Sequence, residues 1–558
     1  MKRTKRLAAL ILSAALCAGL LTGCGKTERS SVLSVCAGDD VTTFDPAYVS
    51  TAADNTVVGS LYEGLMRVSG GADGASSAVE GMAKKVTVEE NFDGTTTYTF
   101  HLRSARWSDG RSVTAQDFVY AWQRLANPLT LSPNAPLLSV VQGYDAVRAG
   151  AELSELAVSA KNDSTLEVVL SGRYDWFLSE ICTSPALSPL RQDVVQTLKE
   201  AAQDASAQDG PDAAPRKWWS DPTKLVTNGA YTAAAYEPGE SLELTPSERY
   251  YGHVANDGVR FAFAADADEA WALYSGGAVD FTYALPDDQL TQQAQDGQHP
   301  LTPELSVCTV LFNGAQLPTS DPSVRRALTL AVDRQSIAAL AGGAAQAAQG
   351  LVPFGVSGGD GGEDFRTEGG DLLSTATEDL EANRAQAQEL LAGSDYEDRY
   401  DLEYLYVDEG PAAQIAAALA EQWQSVLNVR VRTRAVTEPE LYTALRAGEY
   451  DLACVDRSVL FGDAEAFLAP FVSRSGQDVV VYENGAYDTL LRIIDSASDP
   501  AARLACLHDA EALLLEDAAV CPLYFTGTAW KLREGWSGLC RDARGWFSFM
   551  GVAAVSSS

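Results

Sequence analysis

No run of about 20 apolar residues interrupts the body of this 558-residue chain, which excludes a membrane-spanning helix there. Positive charge is scarce as well: 41 lysines and arginines stand against 76 aspartates and glutamates, for a formal net charge of −35. Nucleic acids are polyanions whose binders need a basic surface, so that partner class is excluded. Histidine occurs only as His101, His253, His299 and His508, without a His-Glu-x-x-His pair, and the nine cysteines include no Cys-x-x-Cys. The spacings that build a zinc site are therefore missing. No Gly-x-x-x-x-Gly-Lys loop is present to cradle a nucleotide phosphate. Gly355-Val356-Ser357-Gly358-Gly359 matches a nucleophile elbow by letter only, because it lacks the strand before and the helix after that the elbow needs. These gaps predict a protein that is not an enzyme and needs neither metal nor cofactor.

What is present is a globular composition, 46% hydrophobic and 21% charged, long enough for three or four compact units. The first 23 residues stand apart. Lys2, Arg3, Lys5 and Arg6 precede an apolar stretch over 7–21 that is too short for a span. Leu21-Thr22-Gly23-Cys24 then resembles a bacterial lipoprotein signal, with Cys24 as the lipid attachment residue. A diacylglycerol brings two fatty chains of the palmitate kind, enough for stable anchoring where one is marginal. Removing the four basic residues of the leader takes the net charge from −35 to −39. The seven cysteines that remain are odd in number and scattered, a pattern of small buried apolar residues rather than a disulfide framework.

Along the chain, 25–31 reads as a polar tether, and 69–77, 201–215 and 355–371 read as surface loops. A hairpin is expected at 86–103 around Asn91-Phe92-Asp93-Gly94, with Tyr98, Phe100 and Leu102 on one face and Thr99, His101 and Arg103 on the other. Leu166, Val168 and Leu170 mark another alternating strand. Thr114 and Asp117 suggest a capping box opening a helix over 115–125, and Asp321-Pro322 opens one reaching Leu330. Residues 402–456 read as strand, helix, strand, helix, strand, the middle of the first helix marked by Ile415, Leu419 and Trp423. Such a unit is a parallel sheet with right-handed crossovers. Its ligands sit beyond the carboxyl ends of the strands, so the loop 456–463 is a candidate site.

One block carries a specific resemblance: Tyr98-Thr99-Phe100-His101-Leu102-Arg103, then Trp107-Ser108-Asp109-Gly110, then Val113 to Trp122. With Phe44-Asp45-Pro46-Ala47, Leu61-Tyr62-Glu63-Gly64-Leu65, Val226-Thr227-Asn228-Gly229-Ala230-Tyr231, Val324-Arg325-Arg326-Ala327-Leu328 and Pro522-Leu523-Tyr524, it resembles the extracytoplasmic solute-binding proteins of ABC importers, the oligopeptide, dipeptide and nickel group. The resemblance implies an α/β, two-lobed, type II periplasmic-binding-protein-like fold with an extra domain inserted in lobe I. Carried onto this chain it gives a signal peptide at 1–23 and a tether at 24–32. Lobe I is then 33–62, 190–305 and 527–558, the inserted domain 63–189 and lobe III 306–526. It implies a monomer lipid-anchored at the outer face of the cytoplasmic membrane, delivering a peptide-like solute to ABC permease and ATPase subunits.

It also implies where the ligand lies: Ser50, Thr51, Ala52 and Asn134 on one side, Glu438 and Phe525 at the strand ends, and Arg457, Ser458, Val459, Leu460, Phe461 and Asp463 in the loop. The side chains that grip peptide ends in the family are rebuilt here. The aspartate that pairs with a peptide amino terminus aligns with Leu460, and the tryptophan three residues before it with Arg457. An earlier arginine aligns with Cys454, a histidine with Ala412 and a tyrosine with Asn134. Free-amino peptides are therefore expected to bind poorly unless another carboxylate substitutes, and Glu438 and Asp463 are the nearest candidates by sequence.

Overall fold

The structure, a computed structural model, describes residues 31–70, 76–209, 217–296, 302–356, 364–397, 400–473, 482–497 and 499–555. The leader, Cys24 and most of the 25–31 tether lie outside these residues. Among them three sheets organise the chain. In the first, Val32–Cys36 runs parallel between Gly258–Ala262 and Phe281–Thr282. Ser241–Pro246 and Tyr231–Glu237 extend one edge antiparallel, and Lys531–Leu532 closes the other.

The second sheet has four antiparallel strands in the order Ala83–Glu90, Thr96–Leu102, Thr165–Leu170, Val158–Asn162. Its first pair is the expected hairpin, and Tyr98, Phe100 and Leu102 are buried while the alternate residues are half-exposed. Leu166, Val168 and Leu170 are buried beside them. Helix Ala115–Ala126 opens on the Thr114–Asp117 capping box and buries Phe118 and Trp122. Trp122 Nε1 donates to Leu187 O at 2.9 Å, so a polar atom placed in the core keeps a partner.

The third sheet orders Gln346–Ala347, Val520–Thr528, Thr302–Phe312, Leu452–Ser458, Asp401–Val407 and Arg430–Val436. The last three run parallel, joined by helices Ala412–Leu427 and Glu438–Ala447, as the pattern over 402–456 requires. Ile415, Leu419 and Trp423 are buried on one helix face, each burial worth about 1.5–3 kcal/mol. Asp321 caps helix Pro322–Leu330 through Ser323 N. The lobe boundaries expected at 305/306 and 526/527 fall inside strands Thr302–Phe312 and Val520–Thr528, which pair with each other.

Three expected loops are corrected. Residues 201–209 continue helix Gln192–Asp209, because alanine and glutamine favour a helix until the Gly-Pro that follows. Ser69 and Gly70 pair with Ser77 and Ser76, forming a short ribbon. Within 355–371, Phe365–Gly369 is helical, capped by Asp364 and held by an Arg366–Glu511 ion pair whose two side chains are 1% and 0% exposed. The seven cysteines described are free, and five of them are buried.

Candidate functional site

Strands Asp401–Val407, Arg430–Val436, Leu452–Ser458 and Val520–Thr528 point the same way, and their carboxyl ends share one edge of the third sheet. The strand expected to end near Asp456 continues to Ser458 because Ser306 still pairs with it. The Ser458 hydroxyl donates to Ser306 Oγ at 3.1 Å, and Val459 N donates to Leu305 O at 3.1 Å. At its far end the loop is fixed by Asp463, which caps helix Ala464–Leu468 through Glu465 N.

Between these anchors the loop meets the other half of the molecule. Phe461 stacks on Trp176 with ring centres 4.3 Å apart and planes at 17°. Gly462 N donates to Glu180 Oε2 at 2.9 Å. A Cβ at Gly462 would lie 3.2 Å from that oxygen and 3.5 Å from Leu305 Cδ1, so glycine permits the close approach. Arg544 braces Glu180 from behind: it pairs with Asp542 at 2.6 Å, donates to Thr183 Oγ1 at 2.7 Å and to the Glu180 carbonyl. Burial pushes the Glu180 carboxyl above its ordinary range, against the pull of Arg544.

The residues expected at the site fall into two groups. Arg457, Ser458, Val459, Leu460, Phe461 and Asp463 are contiguous at the strand end, and Leu460 is 41% exposed. Glu438 is exposed in the first turn of its helix, beyond the Thr437–Glu440 capping box. Ser50 and Thr51 are exposed and Ala52 half-buried at the start of helix Ala52–Leu61, which belongs to the other half. The buried Asp54 carboxylate accepts from the backbone of Thr42, Ser50 and Thr51 and so shapes this turn.

Three side chains have other occupations. Asn134 is buried, and its amide donates to Val49 O at 2.7 Å and Ala47 O at 3.4 Å; it holds the segment before Ser50. Phe525 is 2% exposed and packs edge-on against Phe354, because its strand register turns it into the core. Asp463 accepts from both terminal Arg503 nitrogens, Nη1 and Nη2, at 3.0 and 2.9 Å, so its charge is already compensated. Trp176, Glu180 and Arg544 were not expected from the sequence. Their place depends on pairings between distant segments, and no local pattern marks them.

Cavities of about 550 and 450 Å³ lie away from this loop, the first against Arg260, Asp280 and Trp536, the second against Tyr48, Tyr120 and Lys199. The site is defined by strand ends and facing segments rather than by either of these hollows. Among the described residues no cluster of three or more His, Cys, Asp or Glu could hold a metal ion, and no helix is long and apolar enough to cross a membrane.

Residues 77–478 match the family model described as bacterial extracellular solute-binding proteins, family 5. The chain is 29% identical over 498 residues to the probable deoxycholate-binding periplasmic protein YgiS of Escherichia coli, covering 87% of this chain and 86% of that one. It is 26% identical over 530 residues to the dipeptide-binding protein DppE of Bacillus subtilis, covering 93% and 91%. The solved murein tripeptide binding protein MppA of Escherichia coli superposes with a TM-score of 0.72 at 25% identity, over 95% of this chain and 99% of that one.

Proposed function

The chain belongs to family 5 of the bacterial extracellular solute-binding proteins, with their two-lobed type II fold, and from that premise we propose that it captures a peptide or peptide-like solute between its lobes and delivers it to an ABC permease. Proteins of this kind bind solutes and are not enzymes. In this reading Cys24 carries the lipid that holds the protein, as a monomer, at the outer face of the cytoplasmic membrane. Residues 25–31 then form a tether that reaches about 25 Å when extended.

One observation carries the reading. The carboxyl ends of four strands share an edge, and the loop leaving one of them rests on Trp176 and Glu180 of the other half. A solute gripped by both halves stabilises the arrangement in which both contact it, by its differential affinity for the closed state. The crossings near Tyr62, Pro189 and Tyr524 serve as the hinge. A non-peptide solute is the second reading. It is favoured by the pairing of Asp463 with Arg503, which compensates the carboxylate at the far end of the loop, and by a relative named for deoxycholate.

Mass spectrometry of the solute released on denaturing natively purified protein, with small-angle scattering before and after reloading, tests the proposal. A bound small solute and a smaller radius of gyration on loading are expected. A protein that releases nothing and keeps its radius with every solute offered would overturn it.

A further inference from the structure

Along strand Leu452–Ser458, Ala453 and Val455 enter the core shared with Leu441, Phe467 and Tyr487, and Arg457 is the next residue on that face. Its guanidinium carbon lies 5.1 Å from the centre of the Phe471 ring. The phenols of Tyr442 and Tyr487 are the polar groups that act on it, and Tyr487 donates its hydroxyl to Leu468 O. Among the described residues no carboxylate pairs with Arg457, and its buried Nε has no acceptor. Burial pulls its pKa below the ordinary arginine range.

Other sequestered arginines are satisfied. Arg366 has Glu511, and Arg503 has Asp463 and Glu465, while Arg325 and Arg334, which pair with no carboxylate among the described residues, donate to backbone carbonyls such as Asp517 O and Pro522 O. A guanidinium stays charged in proteins, and a buried charge without a partner is costly. An uncompensated one at the carboxyl end of a strand whose loop forms the candidate site is placed to meet an anion.

We propose that Arg457 is the specificity-determining anchor of this site, binding a carboxylate of the solute through its planar fork while an apolar or aromatic part of the solute lies against the half-buried Tyr442. The inference rests on the solute-capture reading and names its ligand class: an acid, rather than a molecule recognised by its amine. A peptide carboxyl terminus and a steroid acid share this chemistry. A planar fork matches a carboxylate in two parallel hydrogen bonds, which a lysine cannot reproduce.

Calorimetry with matched probes tests it: N-acetyl-Ala-Phe-Ala against its carboxyl-terminal amide, and deoxycholate against its amide. The wild-type protein should bind the acid of at least one pair about ten- to a hundredfold more tightly than the amide, the span of a charge-assisted hydrogen bond. Arg457→Gln should erase that preference and Arg457→Lys keep part of it. The pair that discriminates identifies the source of the carboxylate. Arg457→Met should leave the ligand-free melting temperature unchanged or raise it, since it removes an uncompensated buried charge; a structural arginine would lower it.

Equal binding of acid and amide, or an acid preference that survives Arg457→Gln, overturns the anchor and leaves solute capture standing. A natively bound solute that lacks any anionic group does the same. A protein that binds none of the four probes and releases no solute sinks both readings together.

Discussion

Phe461 lies flat on Trp176, at 4.3 Å between ring centres, and joins the third sheet to a segment that follows the four-stranded one. With the Gly462–Glu180 hydrogen bond it is a contact made between two separately organised halves, each with its own core. Breaking it uncovers Trp176 and Phe461 but leaves the rest of each core packed, which is what a hinge-closing protein needs.

Phe461→Ala should therefore loosen the junction while leaving each half folded. A stacked aromatic pair contributes about 0.5–1.5 kcal/mol beyond its buried area. The expected result is a larger radius of gyration without solute and an affinity lower by about two- to tenfold. Tryptophan fluorescence should also shift, because Trp176 loses its cover. An unchanged radius together with an unchanged affinity would show that this stack has no part in closure.

The local features were legible in the sequence because each rests on a short period or a short spacing. The alternation of Tyr98, Phe100 and Leu102, the Thr114–Asp117 box and the strand-helix repeat over 402–456 all resolve within one or two turns of chain. The loop beyond Leu452–Ser458 followed from the rule that ligands sit at carboxyl ends of parallel strands. What the sequence hid is pairing at a distance. Asp463 reads as a free carboxylate until Arg503, on helix Pro500–Glu516, is seen to hold both its oxygens. The glycines around Phe365 suggest a loop until Arg366 is found against Glu511. The family resemblance leads one to expect Asn134 at the ligand, yet its amide is spent on Ala47 and Val49.

The Arg366–Glu511 pair predicts a large and asymmetric stability effect. Arg366→Met leaves a buried carboxylate without its cation and should cost about 3–5 kcal/mol in chemical denaturation. Removing both charges with Arg366→Met and Glu511→Leu should recover only part of that loss. Glu511 Oε1 also accepts from Leu351 N and Val352 N at 2.7 and 2.8 Å, and these two buried donors would be left unsatisfied. A double variant as stable as the parent would show that the backbone bonds contribute nothing.

Anchoring at Cys24 is tested by Cys24→Ala and cell fractionation. The variant should leave the membrane fraction and lose incorporation of labelled fatty acid, because the rest of the described chain offers no helix able to span the bilayer. Equal membrane retention and labelling in variant and parent would contradict the lipid reading.

Glu180 predicts a pH dependence whose sign can be worked out. Burial is the largest influence on its carboxyl and raises the pKa from 4.5, Arg544 lowers it, and Asp542 raises it again. A group with a raised folded-state pKa holds more protons folded than unfolded between the two values. Stability therefore falls as pH rises through that window, and this component is fully present only at lower pH. Glu180→Gln removes the titration while its amide oxygen can still accept from Gly462 N. Wild type minus variant should show the wild type losing stability relative to Glu180→Gln as pH climbs above about 4.5, the unfolded value from which the window opens. Parallel melting curves across pH 4 to 8 would mean that the carboxyl is as well solvated at the junction as in the unfolded chain. A difference of the opposite sign would mean that Arg544, rather than burial, governs Glu180.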